Sequence, residues 1–348
     1  MSTNAPPLRG PHLAVRPDWL ALRREEAIEP DLPIVDPHHH FYDRPGVRYH
    51  VFDLLEDIAS GHNIRATVYM EARTMYRADG PPELRCIGET EFVNGMAALG
   101  ASGLYGPCRI CAGIIGFADL RLGKRVGEVL DAQIAAGNGR FRGIRQISAW
   151  HEDPQANASM SSAPGGLLME PALREGFAEL TPRGLSFDAW LYHTQLEELR
   201  DLVHAFPDTT VVVNHVGGVI GVGPYAGRRD EVFSAWKDSM AALARYPNVN
   251  VKLGGLGMRM FGFEVHNGAL PPSSEQLATA WRPYVETCIE LFGPHRCMFE
   301  SNFPVDKGAC SYGVLWNAFK RIAKDYTAGE KAALFCGTAA RVYRIDVP

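Results

Sequence analysis

Three consecutive histidines stand between two aspartates in the stretch DPHHHFYD, residues 36–43. A neutral imidazole can ligate a divalent cation, polarise a carbonyl or take a proton from water near neutral pH. On an extended strand side chains alternate faces, so His38 and His40 project to one side together with Asp36, and His39 projects to the other. One small ligand can therefore meet both imidazoles of the pair. Further along, Glu71, Arg73, Arg145, His193, His215, Lys252, Glu300 and Asn302 each lie near the end of an apolar, β-rich run. Such residues suit attack of water on a carbonyl, where a proton must be removed and an oxyanion stabilised. Arg73, Arg142, Arg145 and Lys252 add recognition of an anion, because guanidinium offers a planar fork that matches a carboxylate.

The runs that carry these residues are PIVDPHHHF, IRATVYMEA, RICAGIIGFADL, FRGIRQISAW, LSFDAWLYHT, TVVVNHVGG, VNVKLGGL and RCMFESNFPVD. Segments of helical spacing separate them, among them GKRVGEVLDAQIAA, QLEELRDLVHAF, DEVFSAWKDSMAALARY, SYGVLWNAFKRIA and AGEKAALFCGTAARVY. Strands that alternate with helices at a spacing of ~30 to 45 residues predict a parallel sheet closed into a distorted (β/α)8 barrel. Residues 1–32, rich in proline and charge, read as an N-terminal arm with a short helix around PDWLALRREEAI, and residues 33–348 as one barrel domain. Active sites of such barrels gather at the C-terminal ends of the strands, which is where the polar residues fall.

Composition narrows the classes of function. A chain of 348 residues with 46% hydrophobic content can bury a large core. A net charge of -5 and a pI of about 6.2 give no basic field, so nucleic acid is not an expected partner. The start has no charged, apolar leader and no run reaches a membrane span, which points to the cytoplasm. Seven cysteines, an odd number, read as reduced thiols, and the Cys108–Cys111 pair in CRIC as core packing. The glycine-rich VGGVIGVGPYAG lacks the ending of a phosphate loop and reads as a rim loop. His39, His151, His266 and His295 lack partners at metal-ligand spacing and read as structural or solvated.

DPHHHF on the first strand, NHVGG on the sixth and MFESNFPVD on the eighth together resemble the amidohydrolase superfamily. The closer likeness is to its amidohydrolase-related branch, which holds L-fuconolactonases and 2-pyrone-4,6-dicarboxylate lactonases. The resemblance implies a barrel hydrolase that opens a lactone, with His38 and His40 as the His-x-His pair and His215 as the third histidine. RGIR places Arg145 where related lactonases carry a substrate-contacting arginine, and the expected partner is an anionic or polyhydroxy small molecule. Arg73, His193, Lys252 and Glu71 join it as substrate-binding candidates. A divalent metal, zinc first, would sit on His38, His40 and His215.

One position departs from the pattern. The family's strand-eight acid falls on Asn302, and an amide has no useful basicity. That loss tilts the expectation toward a weak or absent metal, with metal-free chemistry open, and leaves the base to be supplied elsewhere. Asp306, four residues on beyond a proline, is the first candidate; Glu300, His193 and His215 follow. A metal-dependent decarboxylase on the same scaffold and a non-catalytic small-molecule-binding barrel are the alternative readings. Self-association is left open.

Overall fold

The computed structural model describes residues 13–44, 47–157 and 162–347. Ten strands form in chain order: β1 (Ile34–His39), β2 (Tyr42–Arg44), β3 (Val47–Tyr49), β4 (Ile64–Met70), β5 (Arg109–Gly116), β6 (Phe141–Arg145), β7 (Ser186–Ala189), β8 (Val211–Val213), β9 (Val249–Leu253) and β10 (Cys297–Phe299). Eight of them make one sheet in the order β1-β4-β5-β6-β7-β8-β9-β10, and β2 and β3 form a separate antiparallel pair. Each predicted run supplies one of the eight. The sheet closes through the segment after β10: the Asn302 N–H donates to the His38 carbonyl (2.9 Å) and the His40 N–H to the Phe303 carbonyl (2.8 Å). This is the (β/α)8 barrel.

Period-two alternation assigns the faces. Val211 and Val213 of β8 pack outward against the helices while Val212 points inward, and Cys297 and Phe299 of β10 flank an inward Met298 in the same way. The inner layer, with Val35, Ala66, Val68, Ala112 and Ile115, is closed from below by Ala339, Val342, Tyr343 and Ile345 of the C-terminal segment. The predicted closing helix is broken there into Ala328–Ala332, a π turn at Ala333–Gly337 and Thr338–Tyr343. The C-terminal segment closes the end of the barrel opposite the strand C-termini, which leaves inward positions at the other end for polar residues.

The described part of the arm runs over the barrel's outer helices. Its helix is only Pro17–Leu20. Glu25 accepts the Ser274 N–H (2.9 Å), and the Ile28 N–H donates to the Asn317 amide oxygen (2.8 Å). Residues 1–12 of the predicted arm lie outside the described residues. All seven cysteines are free thiols, with Cys108 and Cys111 buried. Among the described residues no helix is long and apolar enough to cross a membrane.

Candidate active site

The strand that carries the histidines changes phase. β1 pairs with β4 as Asp36↔Thr67 and then His39↔Tyr69, so three steps on β1 oppose two on β4, a β-bulge at Pro37. Proline has no N–H to give to the ladder, which makes it the residue that tolerates the break. Val35 points inward before the bulge, and His38 and His40 point inward after it. His39 faces outward, with Nε2 2.9 Å from the Thr67 hydroxyl. Asp36 therefore does not share the face of His38 and His40, contrary to the expectation from simple alternation. Its carboxylate accepts from the Ser301 N–H (3.0 Å) and the Tyr312 hydroxyl (3.0 Å), and burial pushes it up to about 6.

His38, His40 and His215 converge at the C-terminal mouth of the barrel, and all three are buried. Nδ1 of His40 stands 2.9 Å from the Met70 carbonyl, which can only accept, so Nδ1 carries the proton and Nε2 the lone pair. Nε2 of His38 lies 3.2 Å from Nε2 of His40. His215 follows β8 with φ of 53°, and Val216 after it has φ of 48°. Backbone of that kind costs about 1–3 kcal/mol per residue and survives only where the surroundings enforce it. Here the Trp236 indole N–H donates to the Val216 carbonyl (2.7 Å), and Nδ1 of His215 lies 2.7 Å from Oε1 of Glu300. Oε2 of the same glutamate is 2.6 Å from Nδ1 of His38.

Burial, and after it the Lys252 ammonium, holds His38 far below the usual imidazole range; burial and then Arg145 do the same for His40. Burial lowers His215 as well, against the pull of Glu300. The imidazoles are therefore neutral near pH 7. With neutral imidazoles the buried carboxylates Glu71, Asp188 and Glu300 are matched, among the described residues, by two buried cations, Arg145 and Lys252. Oε2 of Glu71, Oδ2 of Asp188 and Oε2 of Glu300 have no hydrogen-bond partner among the described residues. A buried set with one uncompensated negative charge favours capture of a cation or a proton.

Beneath the histidines lies an ionic layer. Lys252 of β9 is fully buried and donates to Oδ1 of Asp188 on β7 (2.8 Å), with Nζ 3.4 Å from Nδ1 of His38. The Tyr343 hydroxyl (2.9 Å) and the Asn214 amide (3.0 Å) donate to the same oxygen. Lys252, expected among the substrate contacts, thus sits under the histidines and does not line the cavity. Arg142 lies at the lower end of β6 and donates to the Tyr343 carbonyl (2.7 Å).

Above this floor opens a cavity of about 380 Å³, walled by His40, His215, Glu71, Arg73, Arg145 and Asn302, with Ile147, Trp190, Met258 and Val305 as apolar surface. Trp190 meets His215 edge to face at 4.6 Å. Arg145 is committed to Glu71, with Nε 2.9 Å from Oε1, and its Nη1 lies 3.3 Å from Nε2 of His38. Arg73 is exposed at the mouth, in a turn with φ of 54°, and forms no ion pair among the described residues. Its turn is pinned by buried Glu89, which accepts the Ala72 (2.8 Å) and Thr74 (3.3 Å) N–H groups. Burial, and then the charge of Glu71, pushes Glu89 up to about 8.

The other expected residues distribute unevenly. Asn302, with φ of 55°, lines the cavity and donates from Nδ2 to Oδ1 of Asp306 (2.9 Å). Asp306 lies behind it, away from the cavity wall, with Oδ2 on the Gly257 N–H (2.9 Å). His193 is outside the wall too; its Nδ1 accepts the Ile220 N–H (3.2 Å), and burial, then His151, brings it down to about 4. Sequence reasoning missed Tyr42 and Arg44, which the β2–β3 hairpin delivers to the mouth, where Tyr42 stacks on His40 at 5.6 Å. It also missed Asp188, although an acid at an inward position of LSFDAW, matched by a lysine at an inward position of VNVKL, was a legible signal for a buried pair.

Barrel and site together define the class. A family model of the amidohydrolases matches residues 35–345, and the chain belongs to that family. It is 35% identical over 336 residues to an uncharacterized protein of Sinorhizobium fredii, y4mH, covering 90% of this chain and 99% of that one. An L-fucono-1,5-lactonase of Burkholderia ambifaria is 28% identical over 247 residues, which span 68% of this chain and 72% of the lactonase. An amidohydrolase of Burkholderia multivorans solved with bound zinc superimposes with a TM-score of 0.66 at 23% identity, over 90% of this chain and 99% of that one.

Proposed function

We propose that this protein hydrolyses a lactone or related cyclic ester of a carboxylated or polyhydroxy small molecule. The observation that carries the reading is the convergence of neutral His38, His40 and His215, with His40 and His215 on the wall of a cavity that also holds Arg73 and Arg145. Water attacking the ring carbonyl needs an acceptor for its proton, and neutral imidazoles are the acceptors within reach. The developing oxyanion needs donors, and Arg145, on the cavity wall beside His38, is a candidate to supply one. A volume of about 380 Å³ suits a single substituted ring. The lactonase of Burkholderia ambifaria lends support at the level of sequence.

The residues fit a divalent ion at one place. Two nitrogens that share a tetrahedral zinc at ~2.05 Å stand ~3.3 Å apart, and Nε2 of His38 and His40 are 3.2 Å apart. An ion held by that pair would polarise the carbonyl as a Lewis acid. His38, His215 and Glu300 also offer ligand atoms within 4.8 Å of one another. Their N···O separations of 2.6 and 2.7 Å are, however, shorter than those between two donors around one ion; the His215 contact is a hydrogen bond, and Oε2 of Glu300 has no hydrogen-bond partner among the described residues. Decarboxylation is the less favoured chemistry, because Asn302 supplies no acid beside the histidines.

Purified protein assayed against sugar lactones and dicarboxylate lactones should open at least one ring far faster than a His38→Ala, His40→Ala variant. Equal rates across the panel for the two proteins would overturn the proposal.

A further inference from the structure

We infer that Glu300 is the acid of this site: it stands two residues before Asn302 and acts by turning His215 toward the cavity as the general base. The inference rests on the hydrolytic reading above and answers what that reading leaves open.

Glu300 directly follows β10, two residues before Asn302; Asn302 lines the cavity, whereas Glu300 is fully buried beneath it. From that depth Glu300 cannot touch a substrate in the cavity. It can reach the back of the imidazoles, and it does: Oε1 lies 2.7 Å from Nδ1 of His215 and Oε2 2.6 Å from Nδ1 of His38. Oε1 also accepts the His215 backbone N–H (3.3 Å), which ties the ring and the main chain to one oxygen. A carboxylate is an acceptor, so Nδ1 of His215 carries the proton and Nε2 keeps the lone pair on the opposite side of the ring. His215 lines the cavity, whereas Glu300 is fully buried.

The neighbouring strand is cut to receive this pair. A Cβ on Gly254 would lie 2.4 Å from Cγ of Glu300, and one on Gly255 would lie 2.2 Å from Nδ1 of His215. Gly255 has φ of 68° besides. Both glycines of VKLGGL therefore clear the space in which carboxylate and imidazole meet, and either side chain would drive them apart. Asp306, by contrast, spends its two oxygens on Asn302 and on the Gly257 N–H.

The step is balanced as follows. Nε2 of His215 takes a proton from water as the oxygen forms its bond to the lactone carbonyl carbon. The imidazolium, held by Glu300, returns that proton to the ring oxygen as the carbon–oxygen bond breaks, and the product is the open hydroxy acid. Glu300 is a positioning residue and His215 the catalytic one.

The test has one arm that needs no substrate. In protein labelled with 15N at histidine, with His215 signals identified by their loss in His215→Gln, Nδ1 should give the shift of a protonated ring nitrogen and Nε2 that of an unprotonated one. The reverse assignment overturns the inference whatever the activity. In the second arm, with a lactone that the protein opens, Glu300→Gln should lower kcat about 10²- to 10⁴-fold with KM nearly unchanged. Glu300→Asp should recover part of that loss, and Glu300→Gln with full kcat overturns the inference. If Glu300→Gln does not fold, the spectrum of the unaltered protein decides. A panel with no substrate but a protonated Nδ1 faults the reaction, whereas turnover with a protonated Nε2 faults the dyad.

Discussion

Beneath the cavity Lys252, Asp188 and Glu300 are wholly excluded from solvent and lie within 2.6 to 2.8 Å of a partner, while at the mouth Arg73 is exposed and forms no ion pair among the described residues. The two regions belong to one barrel, yet they follow opposite electrostatic rules. A charge in the floor is far from water, so it exists only by virtue of its partner, and the pair is part of the fold. A charge at the mouth keeps its hydration, costs the fold little, and stays available for an incoming anion. On the proposed reading, function is divided by depth: the buried layer fixes the orientation of the imidazoles, and the mouth selects what reaches them.

Three experiments probe that division, and the first should have the largest effect. Lys252→Met strands the Asp188 carboxylate, and denaturant unfolding should show a loss of about 3–5 kcal/mol. Lys252→Met with Asp188→Leu should recover much of it, since removing both charges removes the desolvation cost. A Lys252→Met protein of unaltered stability would break the contrast. Next, Arg73→Gln should raise KM for a carboxylated lactone about tenfold to a hundredfold, with kcat little changed. Its stability should stay within about 0.5 kcal/mol of the parent. An effect on kcat alone would move Arg73 from the mouth into the chemistry.

The smallest effect, taken per pH unit, concerns Asp306, which stands between the two regions behind Asn302. Burial pushes its carboxyl up to about 7 from an ordinary 3.8, against the hydrogen bonds from Gly257 and Asn302. A carboxyl raised in the folded state is protonated there while the unfolded chain has already lost its proton. Folding therefore takes up a proton between pH ~4 and 7, and stability falls as pH rises through that window. Asp306→Asn removes this dependence. Its stability relative to the parent should rise by on the order of 1 kcal/mol for each pH unit between pH 4 and 7, and a flat difference would show that Asp306 is ionised in the folded protein throughout.

The sequence by itself determined the eight strands, because each is an apolar run bounded by turns and its pattern is local. It also determined that His38, His40 and His215 stand at strand ends, and that residue 302 lacks an acid. It pointed to Glu300 as a base candidate on the parity of Asn302, but placed Asp306 ahead of it. Which carboxylate meets an imidazole depends on depth in the barrel and on two glycines in another strand, and neither is a local property. The bulge at Pro37 reversed Asp36 for the same reason: alternation is a rule for an unbroken ladder, and the break shows only once β1 is paired with β4. Lys252 and Asp188 are 64 positions apart in sequence and 2.8 Å apart in space. Only closure of the barrel made them partners, and that closure decided which charges build the floor and which are left at the mouth.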